Sequence, residues 1–247
     1  MVVIRLKSFF KQIYVFFLKK NYLLLLKKNK KMTILIDNGH GFNVLGKQSP
    51  LLKGSSIEIS EEFTEKGRFR EWKYNRVIAK QVVDKLKAMD YDARLIVTED
   101  KDISLGERVR RINDICKKQG ASNVLLISIH SNAVGDGSNW MNGRGWECYT
   151  TRGETISDIL GECLYKRAEK NFDNVKIRKD YTDGDSDKEA DFYIIKHANC
   201  AAVLTENFFY DNKDDLKYLT SDEGIHAVVR THIEGIIDYI NLKNKTK

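Results

Sequence analysis

From residue 32 onward, short apolar runs alternate along the chain with longer segments in which apolar residues recur at helical spacing. Short apolar, β-branched runs predict strands over 33–37, 93–98, 124–129, 146–150, 192–195 and 201–205. Helical spacing predicts helices over 71–89, from 105 to a stop at Gly120, over 155–171 and from 225 to 240. This alternation predicts a single α/β domain, with a mostly parallel or mixed central sheet and helices on both faces.

Two segments of the chain lack any periodicity. Residues 43–68 are rich in Gly, Ser, Lys and Glu, and residues 135–145 are rich in Gly, so both are predicted loops. Long loops in a compact domain usually carry function, and we expect 43–68 to line or gate a cleft. Without a repeat or an interdomain linker, the prediction is one domain over 32–242, followed by a C-terminal tail at 243–247.

The first 31 residues form a basic and apolar N-terminal tail with no globular pattern. They contain nine Lys or Arg and no Asp or Glu, and their longest apolar run is Ile13–Leu18. That run is too short for a membrane span, which needs about 20 residues, or for a secretory signal, which needs about 7–15. Three interpretations stay open: translation that begins at Met32, a segment that contacts a membrane surface, and a degenerate secretion signal.

Composition narrows the classes of partner. The 247 residues carry a net charge of +7, but outside the tail 33 bases face 35 acids, so the body is nearly neutral. A general electrostatic case for nucleic-acid binding is therefore excluded. The cysteines lie far apart with no CxxC pair, and we interpret them as small buried hydrophobes, with one disulfide pair as the alternative. They are Cys116, Cys148, Cys163 and Cys200.

Three of the predicted apolar strands end in a side chain that can do chemistry: His40, His130 and Glu206. In open α/β sheets the ligand crevice lies beyond the carboxyl ends of the strands, so these side chains are expected to converge. Two histidines and a carboxylate are a frequent ligand set of catalytic zinc (Zn²⁺), and a further carboxylate then serves as general base. The alternative is that each histidine is an ordinary turn residue at a strand end.

Four motifs make a resemblance specific. Ile-Asp-Asn-Gly-His at 36–40, Arg-Glu-Trp-Lys-Tyr-Asn at 70–75, Ser-Ile-His-Ser-Asn-Ala at 128–133 and Leu-Thr-Glu-Asn-Phe-Phe at 204–209 occur in this order. Together they resemble the zinc-dependent N-acetylmuramoyl-L-alanine amidases, and the similarity covers 32–241. The resemblance implies that His40, Glu71 and His130 are the zinc ligands and that Glu206 is the catalytic residue. Among the nearby glutamates Glu71 fits, because it opens a helix as the family pattern requires.

The resemblance also implies an activity and a substrate. The expected reaction is hydrolysis, in peptidoglycan, of the amide bond between N-acetylmuramic acid and the L-alanine of the stem peptide. We expect a monomeric autolysin or endolysin that acts at the cell wall, in the periplasm or outside the cell. The export route stays open, and it includes residence in the cytoplasm until lysis. The alternatives are a zinc peptidase or deacetylase acting on another amide, and a catalytically silent wall-binding module.

The remaining histidines and two tryptophans are expected to be structural. His197, His226 and His232 match no ligand motif, and the last two are predicted at the surface or the edge of the core. Trp140 and Trp146 border the Gly-rich loop, where packing is favoured over stacking on a ligand. One departure from the family is Asn38, where many relatives have proline.

Overall fold

The computed structural model describes residues 32–182 and 184–245. Its strands are β1 (Thr33–Asn38), β2 (Thr64–Glu65), β3 (Arg68–Phe69), β4 (Asp92–Leu95), β5 (Val124–Asn132), β6 (Glu147–Thr150), β7 (Lys188–Glu189) and β8 (Ala201–Phe209). Its α-helices are α1 (Glu71–Ala88), α2 (Leu105–Gln119), α3 (Ile156–Asn171), α4 (Tyr193–Lys196), α5 (Lys213–Thr220) and α6 (Asp222–Lys245). Short 3₁₀ helices cover Glu61–Phe63 and Ala121–Asn123.

Six strands form the central sheet, in the order β4-β1-β5-β8-β6-β7. The pairs β4–β1, β1–β5, β5–β8 and β6–β7 are parallel, and β6 runs antiparallel to β8. The prediction of a mostly parallel, mixed sheet is therefore confirmed. The central strands β1, β5 and β8 are apolar on both sides, because helices cover both faces.

Two hydrophobic clusters lie on opposite faces of this sheet. The larger contains the apolar sides of α1, α3, α5 and α6, and the smaller contains those of α2 and α4. Alternate residues of each central strand belong to the two clusters, as Ile34 and Ile36 do to the first and Leu35 to the second. The predicted arrangement of helices on both faces is confirmed.

Several predicted elements differ in type or extent. Residues 192–195 were predicted as a strand, but Tyr193–Lys196 form one helical turn in which Ile194 and Ile195 are buried and Tyr193 is exposed. A short apolar run has no period that separates a strand from a buried helical turn. The predicted loop 43–68 contains a 3₁₀ helix and ends in the β2–β3 hairpin, and α5 was not predicted. The predicted tail at 243–247 begins inside α6, which extends to Lys245.

The cysteines and the N-terminal segment bear on two further expectations. All four cysteines are free, three of them buried and Cys200 partly exposed, as small hydrophobic residues would be. In the part of the chain that is described, no helix has both the length and the apolar composition needed to cross a membrane. The interpretations of residues 1–31 lie outside the described residues.

Candidate active site

The carboxyl ends of β1, β5 and β8 meet at one edge of the sheet and bring the predicted residues together. His40 follows β1, His130 lies near the end of β5, and Glu206 is paired with His130 across the parallel β5–β8 ladder. Glu71 is the first residue of α1, which begins at the same edge. The side chains come from four separate elements, so the site exists only in the folded chain.

His40, Glu71 and His130 are close enough to share one ion. One donor atom from each lies within 4.8 Å of the other two. His40 Nε2 is 3.4 Å from Glu71 Oε2, and His130 Nδ1 is 3.2 Å from Glu71 Oε1. The two imidazole rings lie edge to face with their centroids 4.9 Å apart. Both rings remain partly exposed, at 21% and 15%, whereas the Glu71 side chain is 1% exposed.

The electrostatics of this group favour a carboxylate beside imidazole. Burial lowers the pKa of His40 to about 4, so its ring is neutral at pH 7. Burial would raise the pKa of Glu71, but the two histidines outweigh it and the pKa falls to about 2. Burial would also lower the pKa of His130, yet its hydrogen bond to Glu71 raises it. A bound cation would take the place of that proton, which makes binding dependent on pH.

The turn after β1 depends on two glycines that leave no space for a side chain. A Cβ atom on Gly39 would lie 2.2 Å from His130 Cε1, and one on Gly41 would lie 2.0 Å from the backbone nitrogen of Asp102. His40 itself has a φ of 65°, a left-handed conformation that non-glycine residues rarely adopt. Arg76 holds it there by donating from Nη1 to the His40 carbonyl at 2.9 Å.

A buried arginine ties α2 to the same turn. Arg108, 2% exposed, donates from Nη1 to Asp37 Oδ1 at 2.6 Å and to the Asn38 carbonyl at 3.0 Å. The other Asp37 oxygen accepts from the Ser128 hydroxyl at 2.7 Å, which links β1 to β5. Arg108 lies in the first turn of α2, and its structural task is to fix the strand end that precedes His40.

Glu71 is oriented by the turn and by β5. Its Oε1 accepts from the backbone nitrogen of Ser131 at 3.1 Å and from Asn75 Nδ2 at 3.3 Å. Asn75 also donates to the Gly39 carbonyl, so one amide connects α1 to the turn. Glu71 Oε2 is buried and accepts no hydrogen bond from the described residues. A buried carboxylate oxygen that lacks a hydrogen-bond partner and lies between two imidazoles is suited to bind a cation.

Glu206 lies beside this group with an unsatisfied carboxyl oxygen. Its Oε2 is buried and has no hydrogen-bond partner within the described residues. Burial raises the pKa of Glu206 to about 8; Glu71 and Glu147 add to this shift, whereas His130 and Lys47 oppose it. The Lys47 carbonyl accepts from the Glu71 backbone nitrogen at 3.2 Å. The predicted loop 43–68 therefore lines this edge of the sheet.

The sequence pattern missed a second charged group next to Glu206. Glu147 is paired with Glu206 across the antiparallel β6–β8 ladder and is 1% exposed. It binds two cations, Arg178 and Lys188, from the connection between α3 and α4. Glu147 follows Trp146 within an apolar strand, and its burial could have been suspected from that position. Its partners belong to an aperiodic segment, where no local signal marks them.

The structure also tests what the sequence predicts for two tryptophans and for His232. Trp146 is fully buried and donates from its indole nitrogen to Asn207 at 2.9 Å, so packing is its role. Trp140 packs against the larger hydrophobic cluster. The prediction that His232 lies at the surface or the edge of the core is wrong. The residue is fully buried, because it lies on the side of α6 that faces β8.

Comparisons with known proteins identify the family to which this chain is similar. Residues 34–238 match the N-acetylmuramoyl-L-alanine amidase family. The endolysin of Bacillus phage SPP1 is 30% identical over 181 residues, which are 68% of this chain and 59% of that protein. The amidase CwlM of Bacillus licheniformis is 31% identical over 150 residues, 59% of this chain and 49% of that protein. The chain thus spans about half to three-fifths of these curated relatives.

Solved structures give the same fold. Cwp6 from Clostridium difficile aligns with a TM-score of 0.64 at 27% identity, covering 85% of this chain and 29% of that one. The catalytic domain of CwlV, an amidase from Bacillus (Paenibacillus) polymyxa var. colistinus, aligns with a TM-score of 0.63 at 21% identity, covering 85% and 98%. With the family match extending over most of the described residues, this chain belongs to the N-acetylmuramoyl-L-alanine amidase family.

Proposed function

We propose that this protein is a zinc-dependent peptidoglycan hydrolase that cleaves the amide bond between N-acetylmuramic acid and the L-alanine of the stem peptide. The observation that carries the proposal is the convergence of His40, Glu71, His130 and Glu206 at one sheet edge, in a chain that belongs to the amidase family. A wall-binding module without catalysis would not need a second buried carboxyl group, that of Glu206, beside a metal site.

The residues present fit a zinc ion. Two imidazoles and one carboxylate are a three-ligand set that leaves a coordination position open, as catalytic zinc sites do. The buried, unsatisfied Glu71 Oε2 and the neutral ring of His40 provide donors in the required state. We assign His40, Glu71 and His130 as the ligands. When bound, zinc polarises the scissile carbonyl and lowers the pKa of a water molecule to about 7.

We assign Glu206 as the general base and acid. Its carboxylate would accept a proton from the attacking water and return one to the leaving amine of L-alanine. A pKa raised by burial suits a group that exchanges protons near neutral pH, and a cation at the neighbouring ligands would lower that pKa toward the working range. The turn at Gly39 and the buried Arg108 contribute by keeping the ligands in place.

The biological setting is part of the proposal. Relatives are named as a phage endolysin and as bacterial cell-wall amidases, so we propose that the substrate is the peptidoglycan of a cell wall. Action as an autolysin and action as an endolysin are both compatible with the catalytic domain. We propose that the protein acts as a monomer, since all four site residues come from one chain.

The test is mass spectrometry of purified peptidoglycan digested by the protein, with and without a chelator. The expected result is release of free stem peptides that begin with L-alanine, lost on chelation and restored by added zinc. Cleavage at a peptide bond within the stem, or release of acetate, would identify a peptidase or a deacetylase instead. No release of any product by zinc-loaded protein would indicate a binding module and overturn the proposal.

A further inference from the structure

A row of polar side chains crosses the sheet at the edge that carries the candidate active site. His130 on β5 is paired with Glu206 on β8, and Glu206 is paired with Glu147 on β6. Paired residues of neighbouring strands present their side chains on the same face, and neighbouring strands lie about 4.8 Å apart. Glu147 is therefore one strand from Glu206 and two strands, about 10 Å, from His130.

Glu147 has no free acceptor capacity. Its Oε1 accepts from Asn132 Nδ2 at 2.6 Å and from the Tyr149 hydroxyl at 3.0 Å. Its Oε2 accepts from Arg178 Nε at 2.7 Å and from Lys188 Nζ at 3.0 Å. Four donors occupy the four lone-pair positions of the carboxylate. Glu147 therefore holds its neighbours in place and does not contact a substrate itself.

The two cations on Glu147 leave a surplus positive charge. One of them would neutralise this buried carboxylate, so the second leaves the group with a net charge of +1. Arg178 is 31% and Lys188 is 24% exposed, so both cationic groups reach the solvent. The guanidinium lies 5.3 Å from the ring centroid of Phe209, and the ammonium lies 5.4 Å from that of Tyr149. These contacts fix the directions of two otherwise flexible side chains.

Both cations keep donors for a ligand. Within the described residues, Arg178 donates a side-chain hydrogen bond only through Nε, and Lys188 donates only to Glu147. The two Nη groups of a guanidinium form the planar fork that binds a carboxylate through both of its oxygens. An ion pair whose task was only to neutralise Glu147 would not need this second, unoccupied set of donors.

We propose that Arg178 and Lys188, held together on Glu147, bind a carboxylate of the stem peptide beside the catalytic centre. The inference rests on the function proposed above. The residue that follows L-alanine in the stem is a γ-linked D-glutamate, whose α-carboxyl group is either free or amidated. Two extended residues span about 7 Å, so this group reaches one to two strands from the scissile amide, which is how far Glu147, the residue that holds the cations, lies from Glu206 and His130. The site would thus select stems with a free carboxylate.

The experiment compares two substrates that differ in this one group, N-acetylmuramoyl-L-alanyl-D-glutamate and its D-isoglutamine counterpart, each with the γ-carboxyl group blocked as a methylamide, as the γ-linkage blocks it in the stem. The full chain, loaded with zinc, should cleave the carboxylate form with a kcat/KM about tenfold or more above that of the amide, because charge-assisted hydrogen bonds are lost with the amide. Arg178→Gln and Lys188→Met should each reduce this ratio toward one. Each variant leaves one cation on Glu147, so the fold should persist, and thermal unfolding verifies that it does.

Lys179→Met provides a matched control. Lys179 neighbours Arg178 and forms a comparable ion pair, but with Glu169 on α3, away from the row. Its removal should leave the ratio unchanged. A merely structural role of Arg178 and Lys188 would lower kcat/KM for both substrates equally. Equal kcat/KM for the two substrates in the wild type, or an unchanged ratio in both variants, overturns the inference while the amidase function stands.

A second measurement separates this inference from the proposed function. Binding of the dipeptides L-alanyl-D-glutamate and L-alanyl-D-isoglutamine, each blocked as the γ-methylamide, is measured by calorimetry, which needs no turnover. A Kd about tenfold or more lower for the carboxylate form, abolished in Arg178→Gln, supports the site even if neither muramoyl substrate is cleaved. Tight binding of the carboxylate form without cleavage of either muramoyl substrate would contradict the amidase assignment and leave the carboxylate site supported. Equal Kd values for the two dipeptides would overturn the carboxylate site, whatever the rates.

Discussion

The two glutamates of the candidate active site differ in their surroundings, and the difference predicts different consequences of substitution. Glu71 lies between two imidazoles, whereas Glu206 has a buried oxygen without a partner and a pKa raised by burial to about 8. Glu206→Gln should lower turnover by about 10²–10⁴-fold and leave zinc bound. Glu71→Gln should lower zinc affinity by about 100-fold or more, because a neutral amide is a weak ligand.

Metal content and rate, measured on both variants, check this assignment. Added zinc should restore part of the activity of Glu71→Gln and none of that of Glu206→Gln. Glu147→Gln does not serve as a control, since it would disturb the neighbouring cations; Glu223→Gln, at an exposed position in the first turn of α6, does. If Glu206→Gln lost zinc while Glu71→Gln kept it, the two roles would have to be exchanged.

A second residue-scale prediction concerns the buried histidine of α6. His232 Nδ1 lies 2.7 Å from the Val228 carbonyl and Nε2 lies 2.9 Å from the Thr205 hydroxyl. A carbonyl only accepts, so Nδ1 donates, and in the neutral ring that burial favours Nε2 accepts from the Thr205 hydroxyl. Burial lowers the pKa of His232 from 6.5 to about 4. Above pH 6.5 the ring is neutral in both the folded and the unfolded chain, and its contribution to stability is complete.

As the pH falls below 6.5, the unfolded chain binds a proton that the folded chain does not. The free energy of unfolding should therefore decrease by up to about 1.4 kcal/mol per pH unit from this residue, until the pH approaches 4. Denaturant unfolding at several pH values measures the slope. His232→Gln should be less stable at pH 7 but should depend less on pH in this window. An identical slope in wild type and variant would contradict the prediction.

A site residue can be found from the sequence when a local pattern marks it, and not when only long-range packing brings it to the site. His40, His130 and Glu206 end apolar strands, and this local pattern predicts a shared edge. Glu71 required the family resemblance, since several glutamates precede it without a distinguishing period. Arg178 and Lys188 approach Glu206 only because β6 pairs antiparallel with β8 in one register. That register is set by long-range packing, which no short motif encodes.

At the scale of elements, the turn after β1 is closely packed against the candidate active site. A methyl group at Gly39 would lie 2.2 Å from the His130 ring, whereas one at Gly46, in the following loop, would meet no atom within 4 Å. Gly39→Ala should therefore displace His130 and lower zinc affinity on the order of 10–100-fold, with the fold retained. Gly46→Ala should bind zinc like the wild type.

Zinc titration with circular dichroism distinguishes the two glycine variants. Equal zinc affinity in Gly39→Ala and Gly46→Ala would mean that the turn does not control His130. Complete unfolding of Gly39→Ala would instead mean that the turn is needed for the sheet. The Gly39 backbone nitrogen donates to the Ile129 carbonyl on β5, so the turn does contact the sheet directly.

Elements with a strong period were predictable, and short ones were not. The helices α1, α2 and α3 begin and end within about one residue of their predicted bounds, since each has a long apolar face and α2 ends at Gly120. The single turn α4 and the two-residue strands β2, β3 and β7 form because the rest of the domain packs around them. Elements this short carry too few residues for a period to appear.

At the scale of the whole molecule, the chain is divided by charge. The first 31 residues carry nine bases and no acid, and the remainder is close to neutral. Residues 32–247 form one compact unit, which contains both hydrophobic clusters and every residue assigned to the active site. Folding and catalysis should therefore depend on this unit, and any attraction to acidic surfaces should depend on the first 31 residues.

A chain that begins at Met32 tests this division. It should unfold at the same temperature as the full chain, bind one equivalent of zinc and cleave soluble muramoyl peptides at the same rate, because no assigned residue is removed. Sedimentation with vesicles that contain anionic lipid should capture the full chain and release it as salt is raised, since exposed charges are screened. The shortened chain should stay in solution.

Equal vesicle binding by both chains would exclude a membrane-surface role for residues 1–31. Failure of the shortened chain to fold would show instead that these residues stabilise the domain, and its boundary would have to be moved toward the N-terminus.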